Sequence, residues 1–170
     1  MLRLLATASF DSLWYWVLHV VVWTLACART LGVPHDLLLR ARRDPAAAER
    51  VDLLARLSAE RIAGIHDVAG APLAAAAGFL LATFAALGFL TGLQAAQAAF
   101  LLLLPLAAIV YSKLRLALFL RAAMNARRLP RPHLVLMLAR RRFWHQTIAV
   151  LAMLAAATVA WGLHPPLGFP

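Results

Sequence analysis

The residues best placed to do chemistry lie near the start of the chain, where aromatic residues surround a histidine at helical spacing. His19 follows Trp16 by three residues and precedes Trp23 by four, so a helix places all three on one face. Because an ionisable residue is costly inside an apolar membrane stretch, its presence there suggests a functional role. We weigh a neutral, structural His19 bonded to a neighbouring helix against a haem or quinone pocket built from His19, Trp16 and Trp23.

Other patterns for catalysis or metal binding are weak. His35-Asp36 and His66-Asp67 are isolated dipeptides, whereas a hydrolytic metal site needs several convergent ligands. The sequence lacks the GxxxxGK[ST], HExxH, GxSxG and CxxC motifs, and Cys27 is its one cysteine. No acidic residue follows Asp67, which disfavours a transporter coupled through intramembrane carboxylates. We therefore predict no enzymatic activity, no metal site and no cofactor.

The composition indicates that the helix bearing His19 sits in a membrane. Of the 170 residues, 64% are hydrophobic and 14% are charged, compared with roughly 45–50% and about 25% in soluble domains. The mean hydropathy is +0.79. The core of a 170-residue chain cannot bury so many apolar residues, so the excess must face lipid.

Four apolar stretches are long enough to cross a bilayer, which needs about 20 helical residues. We predict an all-α polytopic membrane protein, a single membrane domain with spans at about 13–33, 72–93, 95–120 and 143–163. Between spans one and two, residues 35–69 are expected to form an amphipathic cytoplasmic segment. Its main helix should begin at Asp44-Pro45, and Gly70 and Pro72 should break or bend it.

The first stretch also has an alternative interpretation as a cleaved signal sequence. Arg3 is the only basic residue before it, and Trp14 and Trp16 are bulky for the apolar core of a signal sequence. We therefore favour a membrane span, with Cys27 as a small buried residue and lipidation as a minor alternative.

The placement of basic residues predicts the orientation. Sixteen of the seventeen lysines and arginines fall in residues 29–71 and 113–142, and cytoplasmic loops carry such an excess. Both termini should then face the periplasm. The second of these loops has no acid and lacks the interleaved aromatic residues that nucleic-acid binding needs, so its predicted partners are lipid headgroups. The predicted headgroup contacts are Lys113, Arg115, Arg127, Arg128, Arg140, Arg141 and Arg142.

Small residues recur on one face of the second span, which is the pattern that lets transmembrane helices approach closely. The predicted packing residues are Ala74, Gly78, Ala82, Ala86, Gly88 and Gly92. The partner helix belongs either to this chain or to another membrane subunit.

Three segments carry a resemblance to a known family: Leu13-Trp14-Tyr15-Trp16, Leu31-Gly32-Val33-Pro34-His35-Asp36 and Leu39-Arg40-Ala41-Arg42-Arg43. The chain resembles small alphaproteobacterial membrane proteins labelled as components of the SUF iron–sulfur assembly complex. The likeness is strongest over the first 43 residues and afterwards depends on the order of the spans. It implies a bacterial inner-membrane location and supplies no catalytic residue.

Two functions from different classes follow from these patterns. The first is a non-catalytic accessory, assembly or stabilising subunit of a larger inner-membrane complex. The alternative is a small haem- or quinone-binding redox protein that uses the His19 face.

Overall fold

The computed structural model describes residues 13–125 and 131–163, and these residues are almost entirely helical. The elements in chain order are α1 (Leu13–Ala28), β1 (Arg29–Thr30), β2 (Val33–Pro34), α2 (His35–Arg40), α3 (Pro45–Ala85), a π-helical turn (Ala86–Leu90), α4 (Gln94–Asn125) and α5 (Arg131–Leu163). The prediction of an all-α chain is therefore confirmed, apart from one two-stranded hairpin.

Among the described residues, three helical segments are long and apolar enough to cross a membrane: Pro45–Leu90, Gln94–Ala123 and His133–Gly162. They are compatible with a multi-pass membrane protein. The first helix, α1, is apolar but has 16 residues, a length of about 24 Å at 1.5 Å per residue. That is shorter than the roughly 30 Å hydrocarbon core of a bilayer.

The helical part of the first predicted span ends at Ala28, five residues before the expected limit near residue 33. The chain reverses there through the β1–β2 hairpin, in which Thr30 pairs with Val33. Leu31 and Gly32 have φ angles of 48° and 72° in the tight turn. Positive φ at two successive residues suits a two-residue hairpin turn and cannot continue an α-helix.

The long helix α3 begins as the sequence predicts but continues further. An Asp44 carboxylate oxygen accepts a hydrogen bond from the Ala46 backbone N–H at 2.9 Å, with Pro45 in the first turn. The sequence predicts that Gly70 and Pro72 break or bend the helix, and the predicted break is wrong, because α3 runs unbroken to Ala85. Proline removes one backbone donor, and the long regular segments on either side keep their own hydrogen bonds.

Two apolar clusters hold the helices together. In the first, the N-terminal half of α3 buries Val51 and Ala55 against Leu116 of α4 and Leu138 of α5. In the second, Trp23 of α1 packs with Ile109, Ala149 and Ala152. The charged, N-terminal half of α3 therefore packs on the helix bundle through its buried Val51 and Ala55.

The apolar end of α3 meets the start of α4 in a tight hairpin. Gly88 is buried in the π-helical turn, and its carbonyl accepts a hydrogen bond from the Gln97 side-chain amide at 2.9 Å. A Cβ added at Gly88 would lie 2.9 Å from the Gln97 backbone nitrogen. Gly92 has a φ of 71°, which favours glycine at this turn.

Candidate functional site

His19 is the most enclosed polar residue of α1. Its side chain is fully buried, and the ring centroids of Tyr15, Trp16 and Trp23 lie 4.8, 6.1 and 6.3 Å from its own. Within residues 13–125 and 131–163, neither ring nitrogen has a hydrogen-bond partner. The expected bond from His19 to a neighbouring helix is therefore not found in this part of the chain. An aromatic enclosure with two unused imidazole nitrogens has the chemistry to hold a small polar group.

A second polar cluster lies where α1 ends, and it is built on backbone carbonyls. Lys113 Nζ of α4 donates to the Ala26 carbonyl at 2.8 Å, and an Arg142 guanidinium nitrogen of α5 donates to the Ala28 carbonyl at 3.2 Å. The last carbonyls of a helix lack partners within the helix and carry partial negative charge. Lys113 and Arg142 thus provide cationic hydrogen-bond donors for the carbonyls at the C-terminus of α1.

Ser112 connects this cluster to α5. Its hydroxyl oxygen accepts from an Arg141 guanidinium nitrogen at 3.0 Å and lies 3.2 Å from His145 Nε2. His145 is 1% exposed, and its backbone carbonyl is 3.6 Å from the Cys27 thiol. The contacts join α1, α4 and α5 at one level of the bundle.

The Ser112–His145 contact has the residue types of a nucleophile and its base. In such a pair a third group orients the base through its other nitrogen. His145 Nδ1 has no hydrogen-bond partner among the residues that the structure describes, and the nearby charged groups are Lys113 and Arg141. The arrangement therefore fits a structural polar junction better than an activated nucleophile.

The basic residues predicted to contact lipid headgroups have different surroundings. Lys113, Arg141 and Arg142 bond to groups of this chain. Arg115 lies over the Tyr111 ring, 5.9 Å from its centroid, and Arg140 is exposed. Arg127 and Arg128 lie outside the described residues.

The predicted small-residue packing face splits into two parts. Ala74, Gly78, Ala82 and Ala86 are exposed, and nothing lies within 4 Å of a Cβ added at Gly78. Gly88 packs against Gln97 and Gly92 shapes the turn, so both serve the α3–α4 hairpin. Ala74, Gly78 and Ala82 form an open face of α3, and Ala86 continues it into the π-helical turn.

Of the two His-Asp dipeptides, one forms an ion pair with a third residue. Arg121 of α4 donates to both carboxylate oxygens of Asp67, at 2.6 and 3.2 Å. These hydrogen bonds hold the pKa of the Asp67 carboxyl, which precedes the apolar part of α3, below its usual value of 3.8. No group of three or more metal-ligating side chains occurs in residues 13–125 and 131–163.

A cavity of about 160 Å³ lies between α5 and the segment formed by α2 and the turn after it. Its polar lining is His35, Arg42, Arg142 and Gln146, and none of its lining residues is acidic.

Comparison with models of protein families, with curated proteins and with solved structures finds no match to this chain. The geometry of these sites therefore carries the functional argument.

Sequence patterns did not identify the polar junction at the end of α1. Ser112, Lys113 and His145 stand in no motif, and their contacts join residues 87 positions apart or 33 apart. One signal existed: Lys113 is a cation beside an apolar stretch, and such a residue needs a partner or access to the headgroups.

Proposed function

We propose that this chain is a non-catalytic accessory subunit that stabilises a larger bacterial inner-membrane complex. One observation carries the proposal: the other residues that the structure describes leave the apolar part of α3 largely uncovered. In an apolar 18-residue stretch of Pro45–Leu90, 6% of the residues are buried, compared with 22% in the corresponding stretches of α4 and α5.

The residues on the uncovered face suit a helix better than they suit lipid. Ala74, Gly78 and Ala82 present little side-chain area to acyl chains, but they let the backbone of another helix approach closely. Gly78 has open space around it. The proposed occupant is therefore a transmembrane helix of a different subunit.

The proposed membrane placement has four spans, with α1 as a short first span. Lys113 and Arg142 support this placement, because they put positive charge at the end of α1, where a short helix would reach the headgroups. The charged half of α3, within residues 35–69, is then cytoplasmic and both termini are periplasmic. The predicted lipid contacts of Arg115 and Arg140 belong to the same placement, and the family resemblance supports the inner membrane.

Cysteine cross-linking in native membranes tests the subunit proposal. In a Cys27→Ala background we compare Gly78→Cys with Ala76→Cys, which points to the opposite side of α3. We expect a cross-linked adduct from Gly78→Cys alone, containing a different membrane protein. An adduct of two copies of this chain, or equal adducts from both variants, would contradict the proposal. SUF components in the adduct would identify the complex.

Reporter fusions test the placement separately. A periplasm-active reporter fused after Pro170 should be active, and a cytoplasm-active reporter at the same site should be silent. The opposite result would invert the orientation and move the charged half of α3 to the periplasm.

A second candidate function is supported by the buried His19, whose ring nitrogens have no hydrogen-bond partner in residues 13–125 and 131–163. In this alternative Trp16 and Trp23 wall a pocket, and His19 binds a quinone oxygen or a haem iron. Protein purified from membranes should then carry a Soret band or a stoichiometric quinone that His19→Gln abolishes. A preparation free of both would remove this alternative.

A further inference from the structure

The cavity between α2 and α5 places two arginines from separate elements around one small space. Arg42 comes from the turn after α2, and Arg142 comes from α5. Neither forms an ion pair with a carboxylate of the residues that the structure describes. Two guanidinium groups without a countercharge in a concave site attract an anion.

The Arg142 side chain is fixed by one contact and keeps other donors for a ligand. One of its terminal nitrogens is fixed on the Ala28 carbonyl, and a guanidinium has five N–H donors, so further donors remain for a ligand. Planar guanidinium groups match the oxygens of phosphate, to which they bind in a bidentate manner. His35 and Gln146 add polar groups to the same lining.

The size and the walls of the cavity narrow the ligand class. About 160 Å³ is below the roughly 300–1,000 Å³ of pockets for drug-sized molecules, so the cavity suits a single phosphate group. Leu39 and Phe143, which also line it, are 50% and 64% exposed. Such apolar walls fit a phosphate that carries acyl chains.

We infer that the cavity between α2 and α5 is a binding site for the phosphate of an anionic phospholipid, held by Arg42 and Arg142. The inference rests on the proposed membrane placement, in which Phe143 begins the apolar stretch of α5 and the cavity lies at headgroup level. It differs from general attraction of lipids by a basic loop, because it assigns one lipid to one site and includes Arg42 of the preceding connection.

Native mass spectrometry of the protein in a neutral detergent tests the site. Phosphatidylglycerol, phosphatidylcholine and inorganic phosphate are titrated separately. We expect saturable binding of one phosphatidylglycerol, with phosphatidylcholine and inorganic phosphate each binding at least about tenfold more weakly. Binding of inorganic phosphate as tight as that of phosphatidylglycerol would show a free-phosphate site and would overturn the lipid assignment.

Matched variants separate a site from diffuse attraction. Arg42→Gln should weaken phosphatidylglycerol binding about tenfold or more, because a charge-assisted bidentate contact is lost. Arg40→Gln and Arg140→Gln remove exposed charges that do not line the cavity and should cost at most about fivefold. Arg142→Gln should act like Arg42→Gln, but Arg42 decides the test because Arg142 also bonds Ala28.

Equal losses from Arg42→Gln and the two control variants would overturn the inference. Failure of the membrane placement has a different signature: the reporter fusions would give the opposite orientation, or alkaline carbonate would extract the wild-type chain from membranes. A chain that resists extraction but shows no loss specific to Arg42 refutes the lipid site alone.

Discussion

A methyl group added at Gly88 should destabilise the chain, whereas the same methyl group at Gly78 should not. The Cβ of Gly88→Ala would lie 2.9 Å from the backbone nitrogen and 3.1 Å from the Cα of Gln97. Backbone atoms cannot rotate away, so α4 must shift or the turn must open. At Gly78 nothing lies within 4 Å of the new Cβ.

The magnitude follows from comparing the two variants directly. Replacing glycine by alanine in a compatible helix stabilises by about 0.4–1 kcal/mol through the unfolded chain, and this gain applies to both positions. Overpacking a close contact costs about 1–3 kcal/mol, and it applies only to Gly88. The free energies of unfolding of the two variants should therefore differ by about 1–3 kcal/mol, with Gly88→Ala the less stable.

Unfolding in mixed micelles with increasing dodecyl sulfate, followed by circular dichroism and tryptophan fluorescence, measures this difference. Both variants are compared with the wild-type chain in the same detergent. Equal stability of the two variants, or a more stable Gly88→Ala, would refute the close approach of the π-helical turn to α4.

Three further perturbations test the polar contacts. Lys113→Met should lower the free energy of unfolding by about 1.5–3 kcal/mol, because the Ala26 carbonyl loses a charged donor, while Lys113→Arg should retain part of the stability in the same titration. His19→Leu should leave stability unchanged or raise it, because it removes a buried imidazole that has no hydrogen-bond partner among the described residues; a large loss in the same assay would show that His19 has a polar partner. The pKa of Asp67 is lowered in the folded chain by Arg121, so its contribution is present at neutral pH and is lost as the pH falls below 3.8. Asp67→Asn should therefore show a shallower loss of stability in acid, and an acid transition identical to that of the wild-type chain would contradict the ion pair.

Local patterns in the sequence predict the helical fold class and the start of α3, but they predict neither every helix end nor the contacts between helices. Asp44 and Pro45 are adjacent in the chain, so the start of α3 follows from capping chemistry alone. Whether Pro72 ends a helix depends on the stability of the turns on either side, and a single residue does not reveal it. The end of α1 was missed because Leu31, a residue that disfavours positive φ, adopts it while its side chain is buried in the core.

Of the candidate sites, the sequence predicts the His19 face but not the cavity between α2 and α5. The His19 face was predictable because helical spacing brings Trp16 and Trp23 beside it. The cavity was not, because Arg42 and Arg142 are 100 residues apart in sequence and only the packing of α2 on α5 brings them together.

The unbroken course of α3 has a mechanical consequence. A helix of 41 residues is about 62 Å long, roughly twice the thickness of the hydrocarbon core, and its backbone continues without a break past Pro72. Turning its apolar end about the helix axis must also turn Val51 and Ala55 at its other end, where they are wedged against Leu116 and Leu138.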